Sequence, residues 1–200
     1  MAVLLVASLA LLSVWFHVFY RPWQRNWGST EEEIERRMPG DEIVPTPTFI
    51  ATRAVTIRGR PEQIWPWIVQ MGYRRAGFYS YDRLDNDGTP SADRILPEYQ
   101  DLEVGDEVPL SNVADAEVRA LEPHRSLLLL VGHHTEAPGA FTWAWGLYPL
   151  DREHTRLVTR LRWRVDSSVS ILLMEAGEIW MMRKCLLGIK QRVEASASDQ

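Results

Sequence analysis

The hydrophobic pattern divides the chain into one unbroken apolar run, a short charged stretch and a long series of alternating segments. From Ala2 to Tyr20 no side chain carries a formal charge, and Arg21 follows at once. As a helix this run reaches ~28 Å, close to the ~30 Å hydrocarbon core of a bilayer. The pattern therefore predicts a transmembrane anchor over residues 2–20, within an amino-terminal unit of residues 1–21. A cleaved signal peptide fits poorly, because no basic residue precedes the run and the one small pair, Ser8 and Ala10, leaves too short a core. Trp15, Tyr20, Trp23 and Trp27 gather at its carboxyl end, as amphipathic aromatics do at a headgroup boundary. Arg21 and Arg25 lie on that side, so the positive-inside rule predicts a single-pass protein of the cell membrane with its domain in the cytoplasm.

Residues 22–48 read as a juxtamembrane helix and linker. In GSTEEEIERRMPG, Ser29 or Thr30 supplies an N-cap, a glutamate three residues on completes a capping box, and Pro39-Gly40 stops the helix. The folded domain is placed at residues 49–194, with a small polar tail over 195–200. Phe49 to Ile57 is rich in β-branched residues and predicts a strand, and PEQIWPWIVQMG predicts a helix that Pro66 keeps short or kinked. Strands are then expected over Leu102–Leu110, Glu117–Leu121, Ser126–Val131, Thr142–Leu150 and Thr155–Val165. In the last of these, Leu157, Thr159, Leu161, Trp163 and Val165 share one face and Arg160, Arg162 and Arg164 the other. That alternation predicts an antiparallel sheet with one wet face. Ser170 to Glu194 is long enough to cover the dry face as a helix. Ile171 to Met182 is apolar nearly all round, interrupted only by Glu175, Gly177 and Glu178, so this part of the helix is enclosed on several sides or lies against lipid.

Composition narrows the function. Hydrophobic residues at 46% and charged residues at 24% are ordinary for a globular domain. The net charge of -5 is spread along the chain and makes nucleic acid a poor partner. Cys185 is the sole cysteine and has no partner for an internal disulfide. His133 and His134 are adjacent and point to opposite faces of a strand, and no other Cys or His spacing suits a metal site. Asn86-Asp87-Gly88 reads as a turn, and no phosphate-cradling glycine loop or G-x-S-x-G elbow occurs. No metal and no nucleotide cofactor is expected.

An opening strand, a helical excursion, a curved antiparallel sheet and a long terminal helix describe an α+β helix-grip fold. The stretches WGSTEEEIERRMPGDEIVP, ATRAVTI with PEQIWPWIVQMG, GFYSYD, SADRILPEYQDLEVGDEV, TWAWGLYPLD with HTRLVTRLRWR, and RKCLLGIKQR occur in this order. On them, residues 27–193 resemble the SRPBCC superfamily, the START, Bet v 1 and polyketide cyclase-like proteins, especially membrane-anchored bacterial members. The resemblance implies a cavity between sheet and helix. It does not fix the chemistry, because this scaffold hosts binding proteins, cyclases and other activities.

Wall material for such a cavity is present. Trp143 and Trp145 point the same way from one strand, and Trp163 lies on the inward face of the next. Met174, Met181 and Met182 are adaptable side chains on the terminal helix. These six are the candidate ligand-binding residues, with packing in the core as the competing role for each. Tyr79, Tyr81 and Asp82 are weak catalytic candidates, and they converge only if their segment turns. Asp93 and Arg94 read as an ion pair or loop clamp, Glu98 and Asp101 as solvated, and Glu175 and Glu178 as facing solvent or an arginine. The expected function is membrane-anchored binding of an apolar small molecule or lipid. A cyclase or dehydratase-like enzyme and a cytoplasmic protein-interaction adaptor are the alternatives, and an empty apolar cavity would favour binding while a filled core would favour the adaptor.

Overall fold

The structure, a computed structural model, describes residues 1–132, 140–165 and 168–198. His133 and His134 lie outside the described residues. The amino-terminal run forms α1 (Ala2–Trp15), a π-helical turn (Phe16–Tyr20) and α2 (Arg21–Arg25) in one continuous rod. Its stretch Leu4–Arg25 has mean hydropathy 1.6, and the apolar window within it is not buried in the protein, so by length and composition it can cross a membrane.

Six strands follow: β1 (Phe49–Arg58), β2 (Glu107–Pro109), β3 (Asp115–Glu122), β4 (Ser126–Val131), β5 (Phe141–Pro149) and β6 (His154–Trp163). They form one antiparallel sheet in the order β1-β6-β5-β4-β3-β2. The excursion after β1 contains α4 (Pro61–Val69) and a single turn, α5 (Asp82–Asp85). The last element is α6 (Ser168–Ser198), laid across the sheet's inner face. This is the helix-grip architecture expected from the sequence.

The core lies between that face and α6, where Ile57, Trp145, Leu157, Leu186 and Ile189 are fully buried. Gly188 permits the close approach, since a Cβ there would stand 2.4 Å from the Tyr79 carbonyl oxygen.

The opposite face is not wet. A short helix, α3 (Glu31–Glu35), is capped by Thr30, whose hydroxyl accepts from the Glu33 amide at 3.2 Å while the Glu33 carboxylate accepts from the Thr30 amide at 2.9 Å. From there the chain to Val44 lies across the outer face as a strap. Arg160, 4% exposed, donates to the carbonyls of Glu33, Ile34 and Arg36 at 2.7 to 2.8 Å and to Asp41 at 2.8 Å. Arg156 grips the Glu33 carboxylate through two bonds of 2.7 Å, and Arg162 donates to the Val44 carbonyl at 3.0 Å. Met38 packs on Ala54, Leu128, Ala144 and Val158 in a second, smaller core. The arginine face expected to be solvated is therefore largely covered, with Arg160 buried and Arg156 and Arg162 half-buried, all three donating to the strap.

Candidate functional site

A cavity of about 170 Å³ remains between the sheet and α6. Its wall is apolar on most sides: Phe78, Leu110, Phe141, Trp143 and Leu161 face Met181, Met182 and Cys185. β5 and β6 supply the aromatic side because alternate residues of a strand share a face, and α6 supplies the sulfur-bearing side. The Trp143 indole N–H is satisfied by the Thr159 hydroxyl at 3.0 Å, which leaves its ring free to serve as a wall.

Three polar side chains border the cavity: Ser80, Asp85 and Glu178. The Ser80 hydroxyl is used, donating to the Met181 carbonyl at 3.0 Å. Glu178 is used as well, paired with Arg53 through contacts of 2.5 and 2.6 Å. Asp85 differs. Both of its carboxylate oxygens are shielded from solvent, and neither receives a hydrogen bond of good geometry. Burial raises its pKa above the ordinary 3.8, and the nearby Asp82 charge adds to the rise. The Ser80 hydroxyl and the backbone amides of Tyr81 and Asp85 offset it in part. A carboxyl so placed is an unpaired acceptor on the border of an apolar cavity.

Of the six residues expected to bind ligand, Trp143, Met181 and Met182 line this cavity. Trp145 does not. It is fully buried beneath Trp143, ring centres 5.1 Å apart, and belongs to the packed core. Trp163 packs edge-on against Phe141 and near Phe49 at the sheet's end, outside the cavity wall. The Met174 side chain lies outside the described residues, as does that of Glu175.

The three catalytic candidates do not converge. The buried Tyr79 hydroxyl donates to the Trp67 carbonyl at 3.0 Å and accepts from Gln70 at 2.9 Å, and burial pushes its pKa upward. Tyr81 is exposed beneath the Lys184 ammonium, which stands 4.0 Å from its ring centre. Asp82 accepts from the Ser91 hydroxyl at 2.5 Å. Tyr79 and Asp82 hold loops in place. Asp93 and Arg94 are exposed, and the clamp at this point is main-chain, with the Arg94 carbonyl accepting from Gln70 at 3.2 Å. The Cys185 thiol is buried, which raises its pKa and disfavours the nucleophilic thiolate.

A wider hollow of about 840 Å³ lies on the outer face between α3 and the end of β5. Its charges are already paired, Arg156 with Glu33 at 2.7 Å and Arg36 with Glu32 at 2.7 Å. The inner cavity is the stronger site because it holds an acceptor with no partner.

No family model and no curated protein matches the chain. Solved structures do. A protein of Thermobifida fusca determined in solution aligns with TM-score 0.50 at 10% identity, over 72% of this chain and 92% of that one. The likeness is one of fold. Two further structures align less closely. The polyketide cyclase-like protein Cgl2372 of Corynebacterium glutamicum gives TM-score 0.48 at 14% identity, covering 76% and 94% of the two chains. MLL2253 of Mesorhizobium loti gives 0.45 at 17%, covering 72% and 97%.

Proposed function

We propose that this SRPBCC-like domain binds a small apolar molecule carrying one hydrogen-bond donor, and that α1 and α2 anchor it in a membrane. The observation that carries the proposal is Asp85, an unpaired acceptor on the border of an otherwise apolar cavity. An empty void of this size weakens a core, and a buried unpaired carboxyl weakens it further. A ligand that fills one and bonds the other offsets both. At about 170 Å³ the cavity accepts a single aromatic ring or a short branched chain, since engineered cavities of roughly 150 Å³ take benzene. A larger ligand inserts one end and leaves the other outside.

A second reading rests on the same carboxyl. A group with raised proton affinity in an apolar cavity is suited to proton transfer, which would make the domain an acid-base catalyst of the cyclase or dehydratase type. Binding is the reading favoured here, because the other polar groups on the cavity border are already engaged, Ser80 with the Met181 carbonyl and Glu178 with Arg53. Native mass spectrometry of the detergent-extracted protein tests it. A co-purifying molecule retained by the parent and absent from Asp85→Ala supports binding, and a bare parent at high recovery contradicts it. The cytoplasmic placement of the domain follows from Arg21 and Arg25 at the carboxyl end of the anchor. Protease added to intact cells should spare the domain, and its digestion from outside would reverse the topology.

A further inference from the structure

The cavity and the membrane helix lie at the same end of the sheet. Phe49 on β1, Trp163 on β6 and Phe141 on β5 are paired in register at that end, and Phe141 is a wall of the cavity. The chain leaving the apolar helix is tied to β1. The Trp27 carbonyl accepts from the Ala54 amide at 3.2 Å, the Gln24 carbonyl accepts from Arg53 at 2.8 Å, and the Arg25 guanidinium lies 5.1 Å from the Phe49 ring centre. Followed backward from Trp27, the chain therefore moves toward the start of β1, and the anchor departs from there.

The terminal helix projects in the same direction. Lys190 donates to the Thr56 carbonyl at 2.8 Å and Glu194 accepts from the Arg58 amide at 2.8 Å, so α6 and β1 run parallel. From Lys190 back to Ser168 the helix spans ~33 Å, whereas from Thr56 back to Phe49 the strand spans ~23 Å. The start of α6 therefore reaches at least as far as the anchored edge of the sheet. Charge is distributed along α6 to match. Residues 168–182 hold no cation and only Glu175 and Glu178, whereas Arg183, Lys184, Lys190 and Arg192 occupy the remainder. Glu178 is neutralised by Arg53. On the solvent side of that apolar half, Trp180 is 48% exposed and Met181, a cavity wall, 36%. Trp23 of the anchor is 44% exposed. Exposed aromatics beside a membrane helix occupy the headgroup layer.

We infer that the first half of α6 lies in the membrane interface beside the anchor, with the cavity mouth at Phe141 and Met181 turned toward the bilayer, so that the ligand is a membrane-dissolved amphiphile entering from lipid rather than from water. This rests on the binding reading above. It adds a surface, an occupant for that surface and a route.

Full-length protein in phosphatidylcholine vesicles carrying an acyl-chain nitroxide tests it. A fluorophore is attached to Trp180→Cys or, as a control, to Leu150→Cys, which is 59% exposed beyond the opposite end of β5. Cys185 is buried, and unlabelled parent confirms that only the introduced thiol reacts. Quenching several-fold stronger at 180 than at 150 is the expected result. Equal and weak quenching at both sites overturns the inference, and if indole still binds the same preparation in detergent, the binding reading survives alone. Strong quenching at 180 in a protein that binds no indole removes the binding reading and with it the route from lipid.

Discussion

Arg53 and Glu178, 125 residues apart in sequence, form an ion pair in which the arginine is 1% exposed and the glutamate 10%. Arg53 stands on the inner face of β1 and also donates to the Gln24 carbonyl at 2.8 Å, so one guanidinium joins the amino-terminal helix, the sheet and the helix that walls the cavity. A buried pair is costly to break and adds little over an apolar replacement. Arg53→Met should therefore cost about 3 to 5 kcal/mol by stranding Glu178, while Arg53→Met with Glu178→Leu should recover most of that loss. Chemical denaturation of the two single variants and the double variant measures the coupling, and additive losses would show that the pair acts as two independent groups.

Trp143 and Trp145 point the same way from β5, yet the structure separates their roles by depth. Trp145→Ala should cost about 3 to 5 kcal/mol, because it opens a new void in packed interior. Leu161→Phe, which adds atoms to a void already present, should hold or raise the melting temperature and block ligand entry. Thermal melts read alongside indole titration distinguish the two.

The strap over the outer face should be acid-sensitive. Burial, the largest single influence, raises the Glu33 pKa, but the Arg156 bonds, the Thr30 amide and the charges of Arg156 and Arg36 together carry it below the ordinary 4.5. A depressed folded pKa means stability that is present above pH 4.5 and lost as pH falls through the folded value. Glu33→Gln should lower stability at pH 7 by about 1 to 3 kcal/mol and flatten the pH dependence below pH 5. Denaturation midpoints across pH 3 to 7 check this.

Asp85 carries the opposite sign. Its folded pKa is raised, so the stability it lends is present at low pH, below 3.8, and disappears as pH rises through the folded value. At neutral pH the ionised group is a liability of the empty protein. Asp85→Asn should raise the melting temperature of ligand-free protein at pH 7 while weakening ligand binding, a stability gain at the expense of function. Unchanged melting with unchanged binding would mean that the carboxyl reaches solvent.

Much of the architecture was legible because it rests on local signals. The Thr30 capping box, the strand over Ser126–Val131 and the long terminal helix all lie where residue type and period place them. The strap was not legible. Arg156, Arg160 and Arg162 alternate with apolar residues in the same way whether their face meets water or a strap of carbonyls, so the sequence period determines the face and not its cover. The cavity was half legible for a similar reason. Period two predicts that Trp143, Trp145 and Trp163 point inward, but curvature and the path of α6 decide which of them meets a void. Asp85 gave no signal in the sequence, where it stands just before the Asn86-Asp87-Gly88 turn. Its burial arises in the tertiary fold, where it borders the cavity walled by α6.

The central claim is that the cavity binds an apolar molecule through a donor directed at Asp85. The most direct measurement is calorimetric titration of the purified full-length protein with indole and with indene, a ring system of the same shape lacking the N–H. Indole should bind about tenfold or more tightly than indene, as expected for a hydrogen bond to a buried carboxylate, and Asp85→Ala should abolish that difference. Equal affinity for the two rings in the parent, or no heat with either from a protein that melts cooperatively, would contradict the account.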